Sequence, residues 1–424
     1  MSTGSSASSR GSNDTCSLAD TCSLAAIDPD LLQKLADLAV GTGANVQPGQ
    51  IVSVTADVAS VEFMRAVTRS AYDRGALFVD PIFYDGVVKR TRLERADPET
   101  LGFVPWWYGD RVLAVGKEHG ARISVQPNPE PGVLDGVDPT LAGRDGLPFV
   151  PEILPVIDQR TTNWTVIPHP TQAWAEVAHP ELPPDEALER LVADIVHICR
   201  LDEPDPNAAW ERRGDELEEA AERLNEGGFD ALHFEGPGTD LRIGLFPTSH
   251  WAGARATTID GILHFANLPT EEVWTAPDPR RADGVVRSTK PLDVEGALVR
   301  GLTVRFEGGR AVQIDAETNA EALRGRAAVD EGASRLGEVA LVDREGRIGR
   351  LDTVFLTTLL DENAASHIAL GSAYANSVGE EDRPQVNRSD IHIDFMIGGD
   401  DVDVTGITRE GDRVPVLRDG AWQI

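Results

Sequence analysis

The side chains able to hold a metal ion or move a proton gather in the C-terminal half of the chain. In Ile391-His392-Ile393-Asp394-Phe395-Met396-Ile397 the pattern reads as a strand, whose successive side chains alternate between faces. Ile391, Ile393 and Phe395 then point one way, and His392, Asp394 and Met396 the other. An imidazole and a carboxylate so placed can converge on one ion. They equally suit a buried His–Asp hydrogen bond or a solvent-facing pair. A second stretch, residues 361–374, holds Asp361, Glu362, His367 and Tyr374. Its acidic start suits a helix N-terminus, so a helix is expected around 363–370. Glu362 then shares a site with His367 only if it precedes the first turn; otherwise the stretch is a capped surface helix. Glu338 lies alone in Leu336-Gly337-Glu338-Val339-Ala340-Leu341-Val342, where a carboxylate is costly unless paired or bound to metal. Glu271 and Glu272 stand between Pro269 and Pro277 in a short extended segment. Adjacent residues there face opposite sides, so at most one of the two enters a shared site.

Several carboxylates and one or more imidazoles are what zinc or cobalt hydrolases need: the carboxylates bridge and neutralise the ions, and the ions activate a water. Other chemistries lack their signatures. There is no H-E-x-x-H, G-x-S-x-G, G-x-G-x-x-G or G-x-x-x-x-G-K-[ST], so a zincin, an α/β-hydrolase, a dinucleotide site and a Walker-type phosphate site are not supported. Four further histidines read as ordinary. His169 and His179 precede prolines, His119 ends a helix, and His197 lies beside Cys199 on an apolar helix.

Those side chains need a scaffold, and the pattern supplies one. Strands are expected over 50–56, 76–83, 122–126 and 164–167, and helices over 61–74, 111–119, 184–199 and 208–225. This alternation implies an α/β unit with a mostly parallel sheet. After about residue 246 short strands joined by turns dominate: 241–246 after Gly236-Pro237-Gly238, and 302–306 joined to 311–314 through Glu307-Gly308-Gly309. A further helix is expected over 318–330. The fold class is therefore α/β in two domains: an N-terminal, mostly parallel α/β domain (27–245), then an α+β, largely antiparallel catalytic domain (246–424), preceded by a disordered tail (1–26).

The chain has 424 residues, 39 Lys+Arg against 70 Asp+Glu, and a formal net charge of −31. That balance repels a polyanion, so no nucleic-acid partner is expected. Hydrophobic content of 41% suits a globular protein, and no apolar run is long enough to span a membrane. The N-terminal residues lack a signal-peptide core. Cys16 and Cys22 lie in a tandem DTCSLA repeat whose spacing suits no zinc knuckle. Cys199 closes an apolar helical stripe and reads as a core residue. This usage fits a reducing, cytoplasmic compartment.

The ordered segments NLPTEEVWTAP, LGEVALV, DENAASHIALGSAY and NRSDIHIDFMIG resemble the thermophilic-type metallo-aminopeptidases, the aminopeptidase T/S family. FEGPGTDLRIGL and the closing strands after Asp400 fit as well, so the resemblance covers roughly 27–424. It implies two divalent metal ions per chain, Zn2+ or Co2+, with Mn2+ and Mg2+ as further candidates. Carried over, the ligands are Glu272, favoured over Glu271 by the family spacing, then Glu338, His367, His392 and Asp394, with Tyr374 nearby. Glu362 matches a further acidic position, as a ligand or a proton-transfer group. The resemblance also implies an activated water attacking a peptide carbonyl, with Tyr374 donating to the oxyanion and Glu362 or Glu338 shuttling the proton. Substrates are expected to be short peptides with a free N-terminus, acted on by a homodimer. Two alternatives are a metal-dependent amidase or esterase on a non-peptide substrate and a catalytically silent scaffold.

Overall fold

A computed structural model describes residues 27–424 apart from 127–132, 135, 139, 140, 142, 143, 149, 295 and 296. The tail expected at 1–26, with Cys16 and Cys22, lies outside the described residues. The N-terminal half is built on four parallel strands: β1 (Ile51–Asp57), β2 (Phe78–Tyr84), β3 (Ala121–Val125) and β4 (Asn163–Ile167), in the order β2-β1-β3-β4. The intervening helix Val61–Asp73 buries Phe63, Met64, Ala66, Val67, Ser70 and Ala71, the stripe that a 3.6-residue period places on one face. Beyond it Gly75 adopts φ +86, a left-handed conformation that costs glycine little. The helix expected over 111–119 starts earlier and spans Trp107–Lys117. Helices Pro184–Ile198 and Pro206–Gly227 follow. Each begins with proline, whose missing N–H costs nothing in a first turn. Cys199 is fully buried, as expected.

The C-terminal half is antiparallel. A hairpin, β5 (Phe229–Gly236) and β6 (Thr239–Leu245), turns at Pro237-Gly238. Then come β7 (Arg255–Thr257), β8 (Leu263–Phe265), β9 (Glu272–Thr275), β10 (Pro277–Arg287), β11 (Leu292–Val294), β12 (Ala297–Val299), β13 (Thr303–Glu307) and β14 (Arg310–Asp315). The last six are β15 (Leu336–Val342), β16 (His367–Gly371), β17 (His392–Met396), β18 (Asp403–Thr408), β19 (Arg413–Arg418) and β20 (Ala421–Trp422). Eight of these strands form one sheet in the order β14-β13-β10-β6-β5-β18-β19-β20, and four another, β17-β16-β15-β9. Residues 229–245, N-terminal to the boundary expected near 245, thus supply two strands of the larger antiparallel sheet.

Two expected helices differ from the structure. Residues 363–370 are not helical: a short helix, Thr358–Glu362, ends there and His367–Gly371 is β16. All five residues of β16 are buried. Such a short apolar run carries no period that separates strand from helix, and the acidic pair that suggested a helix start lies at a helix end. The helix expected over 318–330 is confined to Ala320–Arg326.

The two halves are joined by backbone and by core. The Val166 N–H donates to Ala266 O (2.8 Å), and the Leu268 N–H donates to Val166 O (2.9 Å). The segment leading to Glu271 therefore lies along the outer edge of β4. One hydrophobic cluster contains Val54 and Ile123 of the parallel sheet together with Val339, Ile368 and Phe395 of the four-stranded sheet.

Candidate metal centre

The four-stranded sheet gathers the candidate side chains on one face. Cross-strand pairing aligns Glu272 with Val342, Trp274 with Ala340 and Ala340 with His367. It also aligns Glu338 with Ala369, Ala369 with Asp394, and Gly371 with His392. Partners directly opposite one another share a face. Glu272, Glu338, His367, His392 and Asp394 therefore project together, over the small side chains Ala340 and Ala369. A bulge in β15 between Leu336 and Glu338 sets this alignment. Gly337 permits it: a Cβ there would collide with the carbonyl oxygens of Gly371 and Ser372.

Glu338 occupies the middle. Its Oε1 lies 3.7 Å from His367 Nε2, and its Oε2 lies 3.6 Å from His392 Nε2. Glu272 Oε2 is 3.2 Å from His367 Nε2, and Asp394 Oδ1 is 3.3 Å from His392 Nε2. Three sets of potential ligands result: Glu272, Glu338 and His367; Glu338, His392 and Asp394; and Glu362, His367 and Asp394. Within each set the donor atoms lie within 4.8 Å of one another. Glu362 enters from the end of its helix, while its neighbour Asp361 turns away and accepts the Phe355 N–H at 2.9 Å. The Tyr374 ring stands 5.4 Å from the His392 ring and 5.5 Å from that of Trp274.

Each histidine presents one nitrogen. His367 Nδ1 lies 3.0 Å from Glu362 O, and His392 Nδ1 lies 2.8 Å from Ser372 O. A carbonyl only accepts, so Nδ1 carries the proton and donates, and Nε2 faces the carboxylates. Burial alone would lower both imidazole pKa values. The facing carboxylates outweigh it, holding His367 well above its usual value and pushing His392 up to about 10. Burial raises Glu338 and, more strongly, Glu362. Asp394, although buried, is held low by His392. Burial also raises the Tyr374 phenol, which stays protonated as a hydrogen-bond donor.

The donor set fits divalent cations. Glu272 Oε2 and Asp394 Oδ1 are buried and make no well-formed hydrogen bond, the histidine Nε2 atoms lying 3.2 and 3.3 Å away, and such acceptors favour a positive charge between them. Carboxylate oxygens with imidazole nitrogens are ligands for zinc and its neighbours.

The seven side chains carried over from the family resemblance come together here; Glu271 and Asp361 do not. Glu271 turns from the cluster to Arg200 and Arg213. The sequence reading passed over Trp274, which is half-buried on the same face as Glu272; the two-residue alternation from Glu272 was the available signal. It also passed over Asn363, whose contacts no local pattern announces.

Comparison with known proteins gives one answer across most of the chain. The family model described as thermophilic metalloprotease (M29) matches residues 29–422. Aminopeptidase T of Thermus aquaticus is 42% identical over 403 residues, covering 93% of this chain and 98% of that protein. Aminopeptidase PepS of Streptococcus thermophilus is 37% identical over 407 residues, covering 93% and 98%. Among solved structures, wild-type AmpT from Thermus thermophilus superposes with a TM-score of 0.85 at 40% identity, covering 93% of this chain and 99% of that one.

Proposed function

The chain belongs to the thermophilic metalloprotease family M29 and is a metallo-aminopeptidase, and from that premise we propose that it removes N-terminal residues from short peptides at a two-ion centre. The observation that carries this reading is Glu338, whose two oxygens face different histidines. A carboxylate so placed would help to hold both ions. Charge agrees: Glu272, Glu338, Glu362 and Asp394 bring four carboxyl groups into one buried cluster, and divalent cations would neutralise those that ionise. With cations bound, His367 and His392 would give up the Nε2 proton and add neutral nitrogens. Zn2+ and Co2+ suit this mixed set best, with Mn2+ and Mg2+ as weaker candidates.

When bound, divalent ions supply Lewis acidity toward the scissile carbonyl and bring the pKa of water toward neutrality. The chain's own groups do the rest. Glu272, Glu338, His367, His392 and Asp394 would hold the ions. The Tyr374 phenol donates a hydrogen bond to the developing oxyanion. Glu362, raised in pKa by burial, receives a proton from the attacking water and returns it to the leaving amine. The free α-amine of the substrate is recognised by the anionic cluster, which restricts cleavage to the N-terminal bond. We further propose that the active form is a cytoplasmic homodimer. Among the described residues no helix is long and apolar enough to cross a membrane.

The test is an apoprotein reloaded with Zn2+ or Co2+ and assayed on an aminoacyl-anilide with and without an N-acyl block. Turnover that needs both metal and a free amine is expected. Equal cleavage of the blocked substrate would replace this reading with an amidase, and a folded protein without metal-dependent turnover would replace it with a silent scaffold.

A further inference from the structure

Glu271 stands one residue from Glu272 and faces the opposite way. It is completely buried, and each of its oxygens meets an arginine from the N-terminal half. Arg200 Nη2 donates to Oε1 at 3.0 Å, and Arg213 Nη2 lies 2.6 Å from Oε2. Arg200 follows the Pro184–Ile198 helix and lies over the Trp210 ring, 4.9 Å from its centroid. Arg213 belongs to the Pro206–Gly227 helix. The main chain is fixed as well: the Glu271 N–H donates to Asn363 Oδ1 at 2.7 Å, and Asn363 Nδ2 donates to Leu359 O at 2.9 Å. Asn363 is fully buried and adjoins Glu362.

A buried carboxylate between two guanidiniums is tightly constrained, because any rotation strands charge away from water. In extended chain, fixing one residue's direction fixes its neighbour's. Asn363 extends the constraint from Glu272 to Glu362.

We propose that Arg200, Glu271 and Arg213, acting through Asn363, are positioning residues that set the direction of Glu272 and Glu362 in the metal centre. The helices of the N-terminal half thereby help to determine metal affinity. This inference rests on the metal-centre reading above. Glu271 itself is not a ligand; its carboxylate is occupied by the arginines.

The experiment measures zinc affinity by chelator competition on full-length Glu271→Gln, Arg213→Met and Arg213→Lys, with circular dichroism and thermal melting alongside. Outer partners of metal ligands typically govern affinity about 10–100-fold. Glu271→Gln and Arg213→Met are each expected to bind zinc that much more weakly while folded, with Arg213→Lys between Arg213→Met and the wild type. If Glu271→Gln fails to fold, the two Arg213 variants decide by the same ordering. Folded variants that melt lower yet bind zinc as the wild type does would overturn the inference and reduce the cluster to a strut. A wild-type protein that takes up no zinc would overturn the metal-centre reading, and this inference with it.

Discussion

Glu338 shows how much chemistry one side chain can carry. It is buried in a strand otherwise made of apolar residues and glycine, and its two oxygens serve two imidazoles. Replacing it with alanine is expected to lower bound metal per chain and to reduce kcat/KM by more than about 100-fold, since losing an outer partner alone costs about 10–100-fold in affinity or activity. Metal analysis of dialysed protein checks this, and unchanged metal content would remove Glu338 from the ligands. Tyr374 should behave differently. Tyr374→Phe deletes one donor to the oxyanion and is expected to lower kcat by about 10²–10³-fold at unchanged metal content; a wild-type kcat would deny the phenol its role. At this scale much was legible in the sequence. The alternation through Ile391–Ile397 places His392 and Asp394 on one face, and a lone Glu in LGEVALV asks for partners. Glu271 was legible only as the odd member of a pair. Its arginines lie about 60–70 positions upstream, Arg200 just past one helix and Arg213 on the next, and no local pattern reaches that far.

At the scale of elements, the site depends on a bulge more than on regular pairing. Gly337 passes against the carbonyls of Gly371 and Ser372, and these backbone atoms cannot swing aside as a side-chain tip would. Gly337→Ala is expected to shift β15, destabilise the fold by about 1–3 kcal/mol as overpacking does, and weaken metal binding through displacement of Glu338. Denaturant melts combined with zinc titration test this; a variant with wild-type stability would show that the strand accommodates a Cβ. The parallel and antiparallel halves could be read from pattern alone, because alternating strand and helix signals give way to short strands joined by turns. β16 could not. Its sequence HIALG holds one polar side chain, His367, and all five residues are buried. A strand buried on both sides loses the alternation that would announce it.

Across the whole molecule, buried histidines tie stability to pH. His169, stacked on Phe63, and His264 are each lowered by burial to about 4 from an ordinary value of 6.5. The unfolded chain takes up these protons near pH 6.5, whereas the folded chain resists until about pH 4. The unfolded state therefore binds more protons within that window, and stability falls as the pH drops through it. At about 1.36 kcal/mol per unit of pKa difference, each histidine accounts for on the order of 3 kcal/mol at the acid end. His264→Gln should lose less stability than the wild type between pH 7 and pH 5 in denaturant melts; equal losses would exclude His264 as a source. The edge of β4 has a consequence of another kind. Val166 is stitched by its N–H and its C=O to residues 266 and 268, just ahead of the first candidate ligand. A protease nick in the chain between these points would leave the two pieces clasped along a shared seam. The Val166 and Leu268 amides should then take up deuterium only when both halves open together, so the catalytic half is not expected to survive when expressed alone.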